Sequence, residues 1–544
     1  MTMRLFFLVW MIFPTLLMAE DLPVIQSVDI APVNPDTYGI GKESDSPIPL
    51  DLWEGLSHAQ VVRLMKSLPE QQNDPTLAHL QNALLTTATK VAEKESTEEE
   101  SLLKLRVERL LALWKIEKAH ALAKRYPDVL QKDAWAWLQF SYYMSIENYS
   151  EALVIAKAAI AENPENAKWS KAMVTLQLLK GQKEAALFGL SLLEETPNTD
   201  NAFFLNLAKK TAQNKPLDEG FEPSDILEFK LWMKENQKKF LEIPAQFLPL
   251  ALMDKTYASL ALKEKLLVAE RAFREGSLCQ EKLQALYKEH GKKETPTPTK
   301  EENDQAIKLP PVPLDWEKND PMTRAELYVK LTTTNAEEKQ EHIINAARHL
   351  MKHRHHALVP LFVEHFQALP MDASLTEHAA TFATILLRHG ATEYAMEWLS
   401  LLTLEQKTAL APLILMRVDD LSLESRQNLL TLWYDTHGKD LKQAPLMLGM
   451  FEALIPGISQ YNAFMTSTSE ESMALRAPAH LWQSLFALDQ QKGVGLIMLL
   501  RLAKDILVED HAPLLPYIIR SLKSLGFTTE AKAIALRYML KAHD

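Results

Sequence analysis

The sequence predicts an all-α protein of helical hairpins stacked into two solenoid lobes. Three observations carry this. Gly is scarce, with 15 in 544 residues, while Leu and Ala abound. Ala and Leu lose little side-chain freedom in a helix, and Gly loses the most backbone freedom. Tryptophans recur with Leu and Ala at helical spacing, at Trp53, Trp114, Trp135, Trp137, Trp169 and Trp232, which reads as inter-helix packing. Finally, the segment NYSEALVIAKAAIAENPEN at 148–166 has an echo one unit on: Trp135 and Trp169 are 34 residues apart, as are Ala152 and Ala186. That is the period of a stacking helix–turn–helix unit.

The chain opens with MTMRLFFLVWMIFPTLLMA, residues 1–19, in which Arg4 is the sole charge and an apolar run reaches Leu17. Charge, apolar run and the small Ala19 stand in the order of a secretory signal peptide. The run is short for a membrane span, which needs about 20 apolar residues; an uncleaved N-terminal anchor is the alternative. Residues 20–50 hold Pro23, Pro32, Pro35, Pro47 and Pro49 and read as an extended leader. A helical lobe is expected over 51–290, its acidic stretch Glu93–Glu100 being a solvated loop or helix start. Residues 291–321 are rich in Pro and charge and read as a linker, because proline removes backbone donors. A second helical lobe is expected over 322–544. Its longest apolar stretch, from Leu496, is broken by Arg501, Lys504 and Asp505, so no stable span is expected after signal cleavage.

The formal net charge is −12, and loss of Arg4 makes it one more negative. Such a surface disfavours nucleic acid and anionic lipid. Cys279 is the single cysteine, which rules out an internal disulfide and a multi-cysteine zinc site. A small buried hydrophobe is its expected role.

Within 133–166, Tyr143 falls in a first helix, Tyr149 at a turn, Ala152 and Ala159 in a second helix, and Pro164 closes the unit. This pattern resembles the tetratricopeptide family, with Phe140 where the family uses Gly or Ala and Ala156 where it prefers an aromatic. The resemblance implies an α-solenoid. A looser signature recurs: Gly181, Gly390 and Gly526 each precede an alanine by five residues, at Ala186, Ala395 and Ala531. Glycine adopts the left-handed conformation that stops one helix before the next begins. The stretches LWEGLSHAQVVRLMKSLPEQQNDPTLAHLQNALL, from Leu52, and LKSLGFTTEAKAIALRYML, near the end, give the chain a fainter resemblance to exported proteins of Gram-negative bacteria. That resemblance implies the periplasm and no activity.

Two polar constellations bear on chemistry. On one helix, His342, His349, His353 and His356 fall on a stripe about 60° wide, with Ile343, Ile344, Leu350, Met351 and Leu358 opposite. His349 and His353 have the i, i+4 spacing that can share a divalent metal; His365 and His378 could approach from neighbouring helices. The competing reading is a solvated face, since Lys352 and Arg354 would repel a cation. The second is Glu471–Ser472, followed by GVGLIMLL at Gly493–Leu500. It resembles the catalytic Glu-Ser and Gly-Leu-Met segments of soluble lytic transglycosylases, which would make Glu471 a general acid. The family's following Gln and Pro are missing. No GxxxxGK[ST], GxGxxG or GxSxG occurs, and no cofactor is expected.

The expected function is a non-enzymatic, periplasmic scaffold or adaptor that binds a protein or peptide partner in a helical-repeat groove. The alternatives are a transglycosylase-like cell-wall enzyme using Glu471 and a metal-binding or pH-sensing protein using the histidine stripe.

Overall fold

Helices account for the chain's regular structure, and no strand occurs among the described residues. The structure is a computed structural model that describes residues 34–41, 46–70, 72, 74–96, 99–195, 202–215, 223–235, 243–292, 320–333, 336–352, 356–370, 373–438, 444–455, 491–506 and 515–543. The expected signal peptide, 1–19, lies outside them.

Two helices lead, α1 (His58–Lys66) and α2 (Pro75–Thr86). Then come the pairs α3 (Leu102–Ala112) and α4 (Ile116–Ala123), α5 (Lys132–Ser145) and α6 (Tyr149–Glu162), α7 (Ala167–Leu179) and α8 (Lys183–Glu195), and α9 (Ala202–Ala212) and α10 (Ile226–Glu235). Short helices α11 (Leu248–Ala251) and α12 (Lys255–Ser259) lead into α13 (Leu262–Arg274) and α14 (Gln280–Lys292). After the expected linker come α15 (Pro321–Thr333), α16 (Ala336–Lys352), α17 (Val363–Gln367), α18 (Ala379–Arg388) and α19 (Thr392–Ser400). The last helices are α20 (Leu404–Ala409), α21 (Ala411–Arg417), α22 (Leu423–Trp433), α23 (Ala444–Leu454), α24 (Lys492–Ile506), α25 (Leu515–Ser524) and α26 (Thr528–His543).

One turn recurs along the chain. Trp114, Glu147, Gly181, Asn214, Gly276, Gly390 and Gly526 all have positive φ, between 51° and 94°. At each, the following residue donates its N–H to the carbonyl five positions back, as in Asn148 to Tyr143 at 2.9 Å, Gln182 to Gln177 at 2.9 Å and Phe527 to Leu522 at 2.8 Å. This is the Schellman geometry, which satisfies carbonyls that a helix end leaves open. The first four such residues are spaced by 33, 34 and 33 positions, so the repeat runs from α3 to α9. Five residues after the turn stands an alanine in five cases, and Ala119, Ala152, Ala186, Ala395 and Ala531 are all 0% exposed. A methyl side chain there lets the two helices of a hairpin close on each other.

Phe140, one of the two departures from the tetratricopeptide pattern, is fully buried, with its ring centroid 5.6 Å from that of Trp169. The two aromatic residues fill the space that a small residue at 140 would leave.

The cores do not follow hairpin order alone. One gathers the repeat, from Ile116 to Ala272. A second, from Leu266 to Val418 with Leu536, spans both sides of the expected linker: Tyr287 of α14 and Tyr328 of α15 have ring centroids 5.6 Å apart. A third joins Ile48–Leu138 to Ala411–Met539. There the chain's first helices pack on its last. Arg537 of α26 donates to Asp74, the N-cap of α2, and to Thr76 Oγ1 at 2.8 Å, while Gln72 Nε2 donates to the Leu500 carbonyl at 2.8 Å. The end of the expected leader belongs to this region too, with Asp36 and Ile48 buried. Arg106, 2% exposed, binds it together by donating to the carbonyls of Tyr38, Leu85 and Thr87.

Candidate functional site

The residues singled out by sequence fall in different environments. Glu471 and Ser472 lie outside the described residues. The segment Gly493–Leu500 belongs to α24 and is a core helix: Leu496, Ile497 and Leu500 are 0% exposed, and a Cβ on Gly493 would lie 2.4 Å from the Trp53 ring.

The residues of the expected histidine stripe fall on two elements. Helix α16 ends at Lys352, and His356 begins a separate 3-10 segment, His356–Leu361. Pro360 in an α-helix would clash with the carbonyl of His356, which accounts for the tighter winding there. His342 and His349 are half-buried on α16; His353 lies outside the described residues. His378 Nε2 is 3.0 Å from Glu377 and 3.2 Å from Arg348 Nη2. His365 meets the Tyr328 ring edge-on, and burial pulls its pKa down, with Lys339 adding to the effect. Among the described residues no group of three or more His, Cys, Asp or Glu side chains is arranged to hold a metal ion. Cys279 departs from its expected buried role: it is exposed, in the turn just before α14.

Three buried polar clusters were not visible in the sequence, because each joins residues far apart in the chain. In the first, His58, 0% exposed, sets Nε2 2.9 Å from Asp36 and Nδ1 2.8 Å from Glu99. Asp36 also accepts from Ser101 Oγ at 2.6 Å and the Leu103 N–H at 2.8 Å. Burial opposes ionisation of Asp36, but these bonds, with that from His58 and the charge of Lys94, together hold its carboxyl below the ordinary value. In the second, Arg324 donates through Nε and Nη2 to Glu270, and the Tyr287 hydroxyl donates to Glu270 Oε1 at 2.7 Å. Burial, then the neighbouring Glu270, pushes the Tyr287 phenol well up. In the third, Lys230, 1% exposed, donates to Asp254 at 2.7 Å and lies 3.6 Å from Glu147. Every charge in these clusters faces an opposite charge or a hydrogen-bond partner, so they hold helices together.

Two features do face outward. The first is an apolar ridge on the second helices of two successive hairpins. Val154 on α6 is 63% exposed and Phe188 on α8 is 67% exposed. They are 34 residues apart and occupy one register of the repeat; Leu187, beside Phe188, is 42% exposed. Helix α6 is apolar around most of its circumference, yet only Ala152 and Ala156 are fully buried. A helix apolar on all sides is ordinarily covered.

The second is a cavity of about 460 Å³ between α4, the α11–α12 segment and α14. Two of the recurrent turns shape it, one placing Trp114, Lys115 and Ile116 on its wall and the other Gly276, Ser277 and Leu278. Trp114 is held by an edge-on contact with Phe247, ring centroids 4.8 Å apart.

No protein-family model matches the chain, and comparison with curated proteins and with solved structures finds no match.

Proposed function

We propose that this chain is a non-enzymatic, tetratricopeptide-like helical scaffold that docks an apolar segment of a protein partner on the α6–α8 ridge. The single observation that carries the reading is the pair Val154 and Phe188, two large apolar side chains exposed at one register of consecutive repeats. Large apolar side chains kept exposed at a repeated register are candidates for an interaction site, and large side chains dominate such contacts. The sequence motivates the rest: the N-terminal segment directs export, the periplasm is the proposed compartment, and an acidic chain favours a partner segment that is apolar or basic. No described helix is long and apolar enough to cross a membrane.

The test is site-specific photocrosslinking in the full chain. A crosslinker at Phe188 should give one discrete adduct with a periplasmic protein, lost when Val154→Glu is added. A crosslinker at Leu404, exposed on α20, serves as control. Identical adducts from both positions, or an adduct indifferent to Val154→Glu, would overturn the ridge as the docking site.

A further inference from the structure

The cavity beside α4 contains an unmatched charge. Lys115 is half-buried on its wall, and among the described residues its ammonium makes no ion pair and no side-chain hydrogen bond. Its neighbour Lys118, also on the wall, is exposed and lies within the field of Glu117. Helix α4 begins at Ile116 with no side-chain cap. A desolvated lysine without a counter-ion is costly, and such groups collect at binding sites.

The rest of the lining decides what anion would fit. Trp114, Ile116, Leu250, Met253, Leu278 and Leu286 give apolar walls. The other titratable groups are Glu117 on α4, Tyr257 on α12, and Lys282 and Glu289 on α14. The Tyr257 hydroxyl donates to the Lys265 carbonyl at 3.3 Å, and burial, then Glu289, pushes its phenol up to about 12. Three lysines against two glutamates leave one positive charge when Lys115 is protonated, which matches a monoanion. The volume suits a small organic molecule, which binding pockets enclose in roughly 300–1,000 Å³.

We infer that this cavity binds a small organic carboxylate with a hydrocarbon body, its carboxylate on Lys115 and Lys118 and its body against Trp114, Leu250 and Leu286. The proposal does not depend on the ridge. Burial, then the neighbouring charge of Lys118, lowers the Lys115 pKa to about 8. A bound carboxylate favours the charged amine and raises that pKa again, so binding near pH 8 takes up about half a proton.

Calorimetry on the full chain tests this with decanoate as probe, octylamine and acetate as controls, and two buffers of different ionisation enthalpy. Decanoate should bind once per chain with proton uptake, and octylamine and acetate should bind at least tenfold more weakly. Lys115→Met should weaken decanoate at least tenfold, while Lys115→Arg, always charged, should keep binding and lose the proton uptake. Equal binding of octylamine, or decanoate binding unchanged in Lys115→Met, would overturn the assignment. If Lys115→Met fails to fold by circular dichroism, proton uptake in Lys115→Arg as large as in wild type overturns it instead.

Discussion

Glu147 and Lys230 meet inside the protein although Glu147 occupies a turn position where glycine is the natural choice. Glu147 has φ of 57°, its side chain is 7% exposed, and its carboxylate lies 3.6 Å from Lys230 Nζ. One of its oxygens also accepts the Lys255 N–H at 2.7 Å, at the start of α12. The left-handed conformation costs a non-glycine residue about 1–2 kcal/mol. Here the side chain ties the repeat to the segment that follows it.

Glu147→Gly therefore relieves backbone strain and still destabilises. Relief of about 1 kcal/mol is outweighed by a lost helix-start acceptor, worth about 1 kcal/mol, and by a weakened buried ion pair, where removing a partner costs about 3 kcal/mol or more. Asp254 keeps part of the Lys230 pairing, so a net loss of about 1–2 kcal/mol is expected. The check is the urea midpoint, and a variant more stable than wild type would refute the network.

Two glycines should fail for different reasons. A Cβ on Gly181, φ 75°, meets nothing within 4 Å, so Gly181→Ala pays only for conformation, about 1 kcal/mol. A Cβ on Gly493 would sit 2.4 Å from the Trp53 ring and 2.9 Å from the Leu52 carbonyl. Helix propensity favours alanine there by about 1 kcal/mol, but the overlap with a ring and a backbone atom forces α24 off Trp53. We expect Gly493→Ala to cost at least about 2 kcal/mol and to shift the denaturation midpoint more than Gly181→Ala.

The cluster of Glu270, Tyr287 and Arg324 couples helices on both sides of residues 293–319. Arg324→Met leaves Glu270 buried without its cation and should cost about 3–5 kcal/mol. Adding Glu270→Leu leaves the Tyr287 hydroxyl without an acceptor, at about 1–3 kcal/mol. The triple variant Arg324→Met/Glu270→Leu/Tyr287→Phe should then be more stable than Arg324→Met alone. Equilibrium denaturation of the series decides; a triple variant weaker than the single one would contradict it.

Asp36 makes a prediction with acid. Its folded pKa lies below the ordinary 3.8, so the unfolded chain binds its proton first as pH falls. The stabilisation is fully present above the unfolded value and is lost as pH falls through the folded one. Asp36→Asn should be less stable at neutral pH and show a flatter decline between about pH 4 and pH 2. Identical slopes in denaturation curves across that window would remove Asp36 from the account.

The all-helical fold was legible because its signals are local. Gly181, Gly390 and Gly526 announce their turns by residue type, and all three have positive φ. Trp114 and Glu147 adopt the same conformation without announcing it, since tertiary contacts hold them there, whereas Asn214 is of a type that tolerates it. Gly276 escaped because Glu281, not alanine, follows by five. The isolation of Lys115 was invisible for a deeper reason: lacking a counter-ion is a property of spatial neighbours from α11 to α14. Of the histidine stripe, His342 and His349 lie on α16 and His356 opens the 3-10 segment beyond it, while His353 lies outside the described residues.

The core that joins Ile48–Leu138 to Ala411–Met539 bears on how the chain is made. Trp53 is synthesised some 440 residues before Gly493, the backbone it packs against. Local hairpins can form as they emerge, but this core must wait for nearly the whole chain, and closing so long a loop is slow. The first helices thus spend synthesis with an uncovered apolar face, open to chaperones and proteases until the final helices arrive. Translation that stops before α24 would leave the beginning of the protein unfinished as well as the end.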